Sequence, residues 1–151
     1  MKRFLIGLIM LVAGATATQA QILHPVTWSY GAKKLNAKEA VLFLKATVEN
    51  GWHIYSQNVS GDGGPVKTSF TFAAAKGYKL NGRVTEPAPI ARFEKAFNMQ
   101  VSYFEHEVIF QQKIKLTGAA QVTIKGTLEY MTCNDKQCLP PEDVNFTIPV
   151  K

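Results

Sequence analysis

Val122-Thr123-Ile124-Lys125-Gly126-Thr127-Leu128-Glu129-Tyr130-Met131-Thr132-Cys133 alternates in polarity with a period of two. Val122, Ile124, Leu128 and Tyr130 share one face, and Thr123, Lys125, Thr127, Glu129 and Met131 share the other. This is the pattern of a strand with one buried face. The same alternation groups Leu42, Leu44, Ala46 and Val48, then Phe70 with Phe72, then Phe104, Val108, Phe110, Ile114 and Leu116, and finally Val144, Phe146, Ile148 and Val150. At least five strands follow, separated by turn-forming clusters at Asn50-Gly51, Gly61 to Pro65, Asn81-Gly82, Pro87 to Pro89, Gly118 and Asn134-Asp135. No long, capped amphipathic helix is legible. Many short strands with frequent turns predict an all-β domain, an immunoglobulin-like antiparallel β-sandwich. No internal repeat, linker or low-complexity stretch interrupts it.

Counting on from Glu129 and Met131 places Cys133 on the polar face, away from Leu128 and Tyr130. A disulfide through the core would need the opposite parity. The sequence has 2 cysteines, and Cys138 follows in Y-M-T-C-N-D-K-Q-C-L-P-P. The short step across Asn134 to Gln137 predicts a hairpin with Cys133 and Cys138 facing each other and Cys138 opening the next strand. Leu139-Pro140-Pro141 then removes backbone donors, as a sheet edge permits. The bridge is expected at the surface, near one end of the sandwich. As a staple it is weak, because closing so short a loop restricts the unfolded chain by only about 2 kcal/mol. Exchange chemistry asks instead for an attackable sulfur and a stabilised thiolate, which Lys136 favours and Asp135 opposes. Structural bridges are nonetheless common in exported β proteins, so both readings stand.

Export is expected from the N-terminus. Met1-Lys2-Arg3 is basic, Phe4 to Ala13 is apolar, and Thr18-Gln19-Ala20 ends in the small residues of a cleavage site. Residues 1–20 therefore read as a signal peptide, and residues 21–151 as a single domain. The apolar run is shorter than the roughly 20 residues a membrane span requires, and no cysteine follows the cleavage site to carry a lipid. A periplasmic or secreted protein is expected. Of 17 basic residues, Lys2 and Arg3 leave with the leader, so the net charge falls from +6 to +4. Lys33, Lys34, Lys76, Lys79, Lys113 and Lys115 read as solvated positions scattered over strands, not as a nucleic-acid stripe.

Other chemistries find little support. The C-x4-C pair has no histidine beside it, so no metal site is expected. There is no G-x-S-x-G, no H-E-x-x-H and no glycine-rich phosphate cradle, since the Gly61 to Pro65 stretch ends in proline. His106 shares parity with Phe104 and Val108 and reads as a satisfied inward histidine. His24 carries no signal. His53 and Tyr55 share one strand face, opposite Trp52 and Ile54.

The run Y-M-T-C-N-D-K-Q-C-L-P-P followed by a valine-phenylalanine strand resembles the active-site hairpin of the N-terminal periplasmic domain of the thiol:disulfide interchange protein DsbD. Asn50-Gly51-Trp52-His53-Ile54-Tyr55 is similar to that family's glycine-aromatic strand. Phe93-Glu94-Lys95-Ala96-Phe97-Asn98 with Val101-Ser102-Tyr103 is similar to its cap-loop region. The resemblance spans most of residues 22–151. It implies an immunoglobulin-like domain that carries electrons by disulfide exchange, with no bound cofactor. Cys138 would form the mixed disulfide and Cys133 would resolve it. Phe97, or secondarily Phe93, would be the capping aromatic, Glu94 would tune thiol acidity, and His53 and Tyr55 would line the site where the family carries tyrosines.

The implied partners are a thioredoxin-like reductase domain or membrane electron-transfer protein and periplasmic thiol-disulfide clients. Well-known members have one more residue between the cysteines. They also continue into a membrane-embedded conduit and a thioredoxin-like domain, so a separate reductant is expected here. Against a protein-disulfide reductase stands the alternative of an exported immunoglobulin-like binding or accessory module whose disulfide is purely structural.

Overall fold

The computed structural model describes residues 23–59, 61, 63–118 and 121–151. The predicted signal peptide lies outside these residues. Among the described residues eleven strands account for the architecture: β1 (Val26–Asn36), β2 (Glu39–Val48), β3 (Trp52–Tyr55), β4 (Ser69–Phe72), β5 (Tyr78–Leu80) and β6 (Ile90–Glu94). They continue as β7 (Met99–Glu105), β8 (Glu107–Leu116), β9 (Val122–Tyr130), β10 (Thr132–Asn134) and β11 (Glu142–Val150). No helix among the described residues is long and apolar enough to cross a membrane.

Two sheets form the body, one ordered β1-β2-β8-β5 and the other β11-β9-β4. All pairings are antiparallel. The alternating side chains do what their period dictates. Leu42, Leu44, Ala46 and Val48 meet Val108, Phe110 and Ile114 from one sheet and Ile124, Leu128, Phe146 and Ile148 from the other, all buried. Trp28 wedges between them, its ring centroid 5.5 Å from Tyr130 and 6.3 Å from Phe70 in edge-on contacts. The chain is thus an immunoglobulin-like antiparallel β-sandwich. Gly126 falls where the next strands come closest. A Cβ there would run into the Phe146 ring and the Thr71 carbonyl.

A third sheet, ordered β10-β3-β7-β6, extends from one end of the body. Three of its strands continue body strands. β2 passes through Glu49–Gly51 into β3, β7 turns at His106 into β8, and β9 passes Met131 into β10. Two runs that read as single strands are therefore each broken once. His106 is not the inward residue its parity predicted. It is exposed, with φ 61°, and marks the bend itself. Its carbonyl accepts a hydrogen bond from the Val48 amide at 2.7 Å. Histidine is one of the few non-glycine residues that tolerate this backbone region, and a corner residue escapes the alternation on either side of it.

Candidate functional site

The cysteine hairpin is built on β10, an edge strand paired in register with β3: Thr132 with Ile54, Cys133 with His53, Asn134 with Trp52. The Thr132 hydroxyl adds a bond of 2.8 Å to the His53 carbonyl. Cys133 and Cys138 oppose each other as bridge partners and are joined by a disulfide, with Cα atoms 4.0 Å apart. Asn134 organises the turn. Its amide donates to the Gln137 carbonyl at 2.9 Å, and its side-chain Oδ1 accepts from the amides of Lys136 at 2.9 Å and Gln137 at 2.8 Å. The short polar side chain replaces a backbone acceptor, which is why asparagine suits the position. Leu139 donates back to the Thr132 carbonyl at 2.9 Å. The predicted hairpin is present, although Cys138 makes only an isolated bridge and β11 starts at Glu142.

The two sulfur-bearing residues differ sharply in exposure. Cys138 is exposed, whereas Cys133 retains only 1% of its accessible surface. The expectation of a bridge lying wholly at the surface is corrected for Cys133. Its parity does keep it out of the sandwich core. Beyond Met131, however, the chain enters the third sheet, whose inner face has a small core of its own. There Cys133 packs with Tyr55, Val101 and Tyr103, and Val59, Phe97, Met99 and Met131 close around them.

β3 supplies both cores, so all four of its side chains are buried. Trp52 and Ile54 face the sandwich; His53 and Tyr55 face the cysteines' side. His53 lies among aromatic rings, 4.7 Å from Tyr103 and 5.2 Å from Tyr55 between centroids. Its Nε2 is 3.2 Å from the Tyr55 hydroxyl and 3.9 Å from Glu94 Oε2. Burial pulls the imidazole below its ordinary value of 6.5, against the opposing pull of Glu94 and then Glu105. Burial first, and Glu94 second, push the Tyr55 hydroxyl up. Both groups are therefore neutral near pH 7, and a neutral imidazole has one donor and one acceptor nitrogen to offer.

The opposite wall comes from β6 and its turn into β7. Lys95–Asn98 forms this turn, with the Phe97 amide bonded to the Glu94 carbonyl and the Asn98 amide to that of Lys95, both at 3.3 Å. Asn98 has φ 51°, a left-handed value that asparagine tolerates. Phe97 leaves the turn half-buried, meets Tyr55 edge-on at 6.1 Å and packs into the cluster that holds Cys133. Phe93 does not share this packing. It is 57% exposed and alternates away from Arg92 and Glu94. Between the turn and the hairpin lies an open hollow of about 640 Å³, bounded by Arg92 to Ala96 on one side and Asn134 to Cys138 on the other. Arg92 reaches across to Asp135 at 3.5 Å. β6 and β10 are opposite edges of the sheet, so this contact shows that the sheet curls into a trough.

The structure gathers Cys133, Cys138, His53, Tyr55, Glu94 and Phe97 at one site and leaves Phe93 on its outer rim. Sequence reading missed the tasks of Tyr103, Thr132 and Asn134. It also missed Glu86, whose carboxylate binds the Ser56 hydroxyl, the Gln57 amide at 3.0 Å and the Asn58 side-chain amide at 2.8 Å, fixing the chain as it leaves β3. Parity with Phe97's neighbours could have found Tyr103; nothing local marks Glu86, which acts across 28 to 30 residues. Among the described residues no three metal-ligating side chains converge.

Residues 19–149 match the family described as thiol:disulfide interchange protein DsbD, N-terminal. The chain belongs to this family. No curated protein matches the sequence. Among solved structures, it is similar to the reduced DsbD N-terminal domain of Neisseria meningitidis, at 19% identity and TM-score 0.50, covering 74% of this chain and 82% of that one. It is also similar to the N-terminal periplasmic domain of ScsB from Proteus mirabilis, at 18% identity and TM-score 0.53, covering 81% of this chain and 44% of that one. A third similarity is to a complex between the DsbD N-terminal and PilB N-terminal domains of Neisseria meningitidis, at 18% identity and TM-score 0.50, covering 71% of this chain and 73% of that one.

Proposed function

We propose that this member of the DsbD N-terminal family is an exported, periplasmic electron carrier that passes reducing equivalents between proteins through the Cys133–Cys138 couple. The observation that carries the reading is the asymmetry of the pair: Cys138 is exposed at the edge of an open hollow, while Cys133 is buried against aromatic side chains. Exchange proceeds through attack of a thiolate on one sulfur and departure of the other. An incoming thiolate attacks Cys138 Sγ, the bond to Cys133 breaks, and the Cys133 sulfur leaves with the electron pair. A second thiolate of the reductant then attacks the mixed disulfide, so the reductant becomes a disulfide and this domain a dithiol.

Delivery to a client reverses the order. The Cys138 thiolate attacks the client disulfide, and Cys133 resolves the mixed disulfide once its thiol has lost a proton. His53 stands opposite Cys133 in the ladder and is neutral. It is the acceptor for that proton, which it passes on to solvent and so returns to its neutral form. No cofactor takes part. The solved complex of a related DsbD domain with a PilB domain supports a protein partner for this chain; a thioredoxin-like reductant and periplasmic clients are the partners this reading assigns.

The test is the reduction potential of the pair in residues 21–151, combined with partner trapping by Cys133→Ser. A potential between about −180 and −270 mV, with mixed disulfides that form on Cys138, supports the carrier. A potential below about −300 mV with no trapped partner sinks it and leaves a binding module with a structural bridge.

A further inference from the structure

Lysines that look dispersed in the sequence are brought together on the outer face of the first sheet. Register places Lys33 and Lys113 on either side of Val41, and Lys115 between Glu39 and Lys79. All four lysines are exposed. Val41 points outward, away from the core side chains of β2, yet is only 6% exposed, as expected when the aliphatic stems of flanking lysines lie over it. Lys79 and Lys115 stand directly opposite each other. Like charges in that relation destabilise a sheet, and an anionic partner removes the penalty.

The face is also polarised along its length. At the end near the third sheet, Lys45 is neutralised by Glu107 at 2.6 Å. At the far end a shallow hollow is bounded by Lys38, Lys79 and Lys115, with Glu39 its only carboxylate among the described residues. Beside it Leu35 is 53% exposed at the end of β1.

We propose that this end of the domain docks on an anionic phospholipid surface, with the lysines against headgroup phosphates and Leu35 entering the interface. Lysine ammonium groups are flexible point charges that suit a fluid, delocalised anionic plane, and the exposed Leu35 beside them adds the apolar contact of an interfacial anchor. The orientation follows from the strands. β2 runs from Glu39 at the lysine end to Val48 at the third sheet, about 30 Å at ~3.3 Å per residue. A docked domain holds Cys138 on the side away from the bilayer, free to meet partners. This inference rests on charge and register and is independent of the redox reading.

The experiment is co-sedimentation of residues 21–151 with vesicles of phosphatidylcholine alone or mixed with about one third phosphatidylglycerol, at low and high salt. Binding to the anionic vesicles only, released by salt, is expected. Replacing Lys33, Lys79, Lys113 and Lys115 together by glutamine should weaken it several-hundredfold, at about fivefold per lysine. Leu35→Ser should weaken it less, and Lys67, Lys76, Lys125 and Lys151 to glutamine should weaken it little. Circular dichroism and disulfide exchange should be unchanged in the patch variant, which separates loss of docking from loss of fold. Equal losses in the two quadruple lysine variants overturn the proposal, because they report net charge alone. Displacement by millimolar inorganic phosphate assigns the patch to a small anion, and retention on polyglutamate without vesicle binding assigns it to an acidic protein; either result overturns the membrane reading.

Discussion

Cys133 stands directly across the β10–β3 ladder from His53, whose ring lies against Tyr55 and Tyr103 of the small core that holds Cys133. The imidazole is held neutral by burial, against the carboxylates of Glu94 and Glu105. Its folded-state value lies below 6.5, so the fold's preference for neutral His53 is fully present above 6.5 and is lost as pH falls, when the unfolded chain takes up a proton that the fold resists. Stability should decline between pH 7 and 5, and His53→Gln should flatten part of that slope in urea titrations. An unchanged slope would show that His53 is not the titrating group. The same substitution should slow resolution of the mixed disulfide while leaving attack on Cys138 nearly intact, as read by stopped-flow.

Phe97 covers the cysteine cluster and Phe93 does not. Phe97→Ala should accelerate reduction of the disulfide by a small thiol such as dithiothreitol, and Phe93→Ala should leave that rate within twofold or so, the scale of a surface change worth under about 0.5 kcal/mol. Equal acceleration by both would remove Phe97 from the role of cap.

Asn134 holds the two halves of the hairpin in place through its side-chain oxygen. Asn134→Ala loosens the reduced hairpin and lowers the effective concentration of one thiol at the other. The potential should rise by about 20 mV, equivalent to the roughly 1 kcal/mol of a lost hydrogen bond. A potential that does not move would mean that the ladder bonds alone set the hairpin.

Gly126 admits no Cβ without displacing the Phe146 ring or the Thr71 backbone. Gly126→Ala should cost about 2 to 3 kcal/mol, the scale of core overpacking, seen as a lower urea midpoint. Reduction of the disulfide in the unmutated domain should cost about 2 kcal/mol by loop entropy. If reduction alone unfolds the domain, the bridge is a structural staple after all.

The sandwich was legible because alternation survives wherever a strand has one wet face. Val122, Ile124, Leu128 and Tyr130 are buried as their spacing predicts. The third sheet was not legible as a separate layer, because its strands continue body strands and its break points at Met131 and His106 carry no glycine or proline. That concealment explains the misplacement of His106 and the underestimated burial of Cys133. His53 and Tyr55 were found by parity and resemblance together. The lysine face could not be found, since Lys33, Lys79 and Lys113 meet only through cross-strand register.

Three of the four trough strands are rooted in the sandwich, and β6 alone is not. Load applied by a docking partner to β3, β7 or β10 is therefore carried straight into a packed body that yields little. β6 is entered through Pro87 and Pro89, left through a four-residue turn and bonded only to β7, so its ladder is separate from the sandwich core. The domain is thus divided into a packed body that fixes Cys133 and one wall, β6, held to the trough by a single ladder.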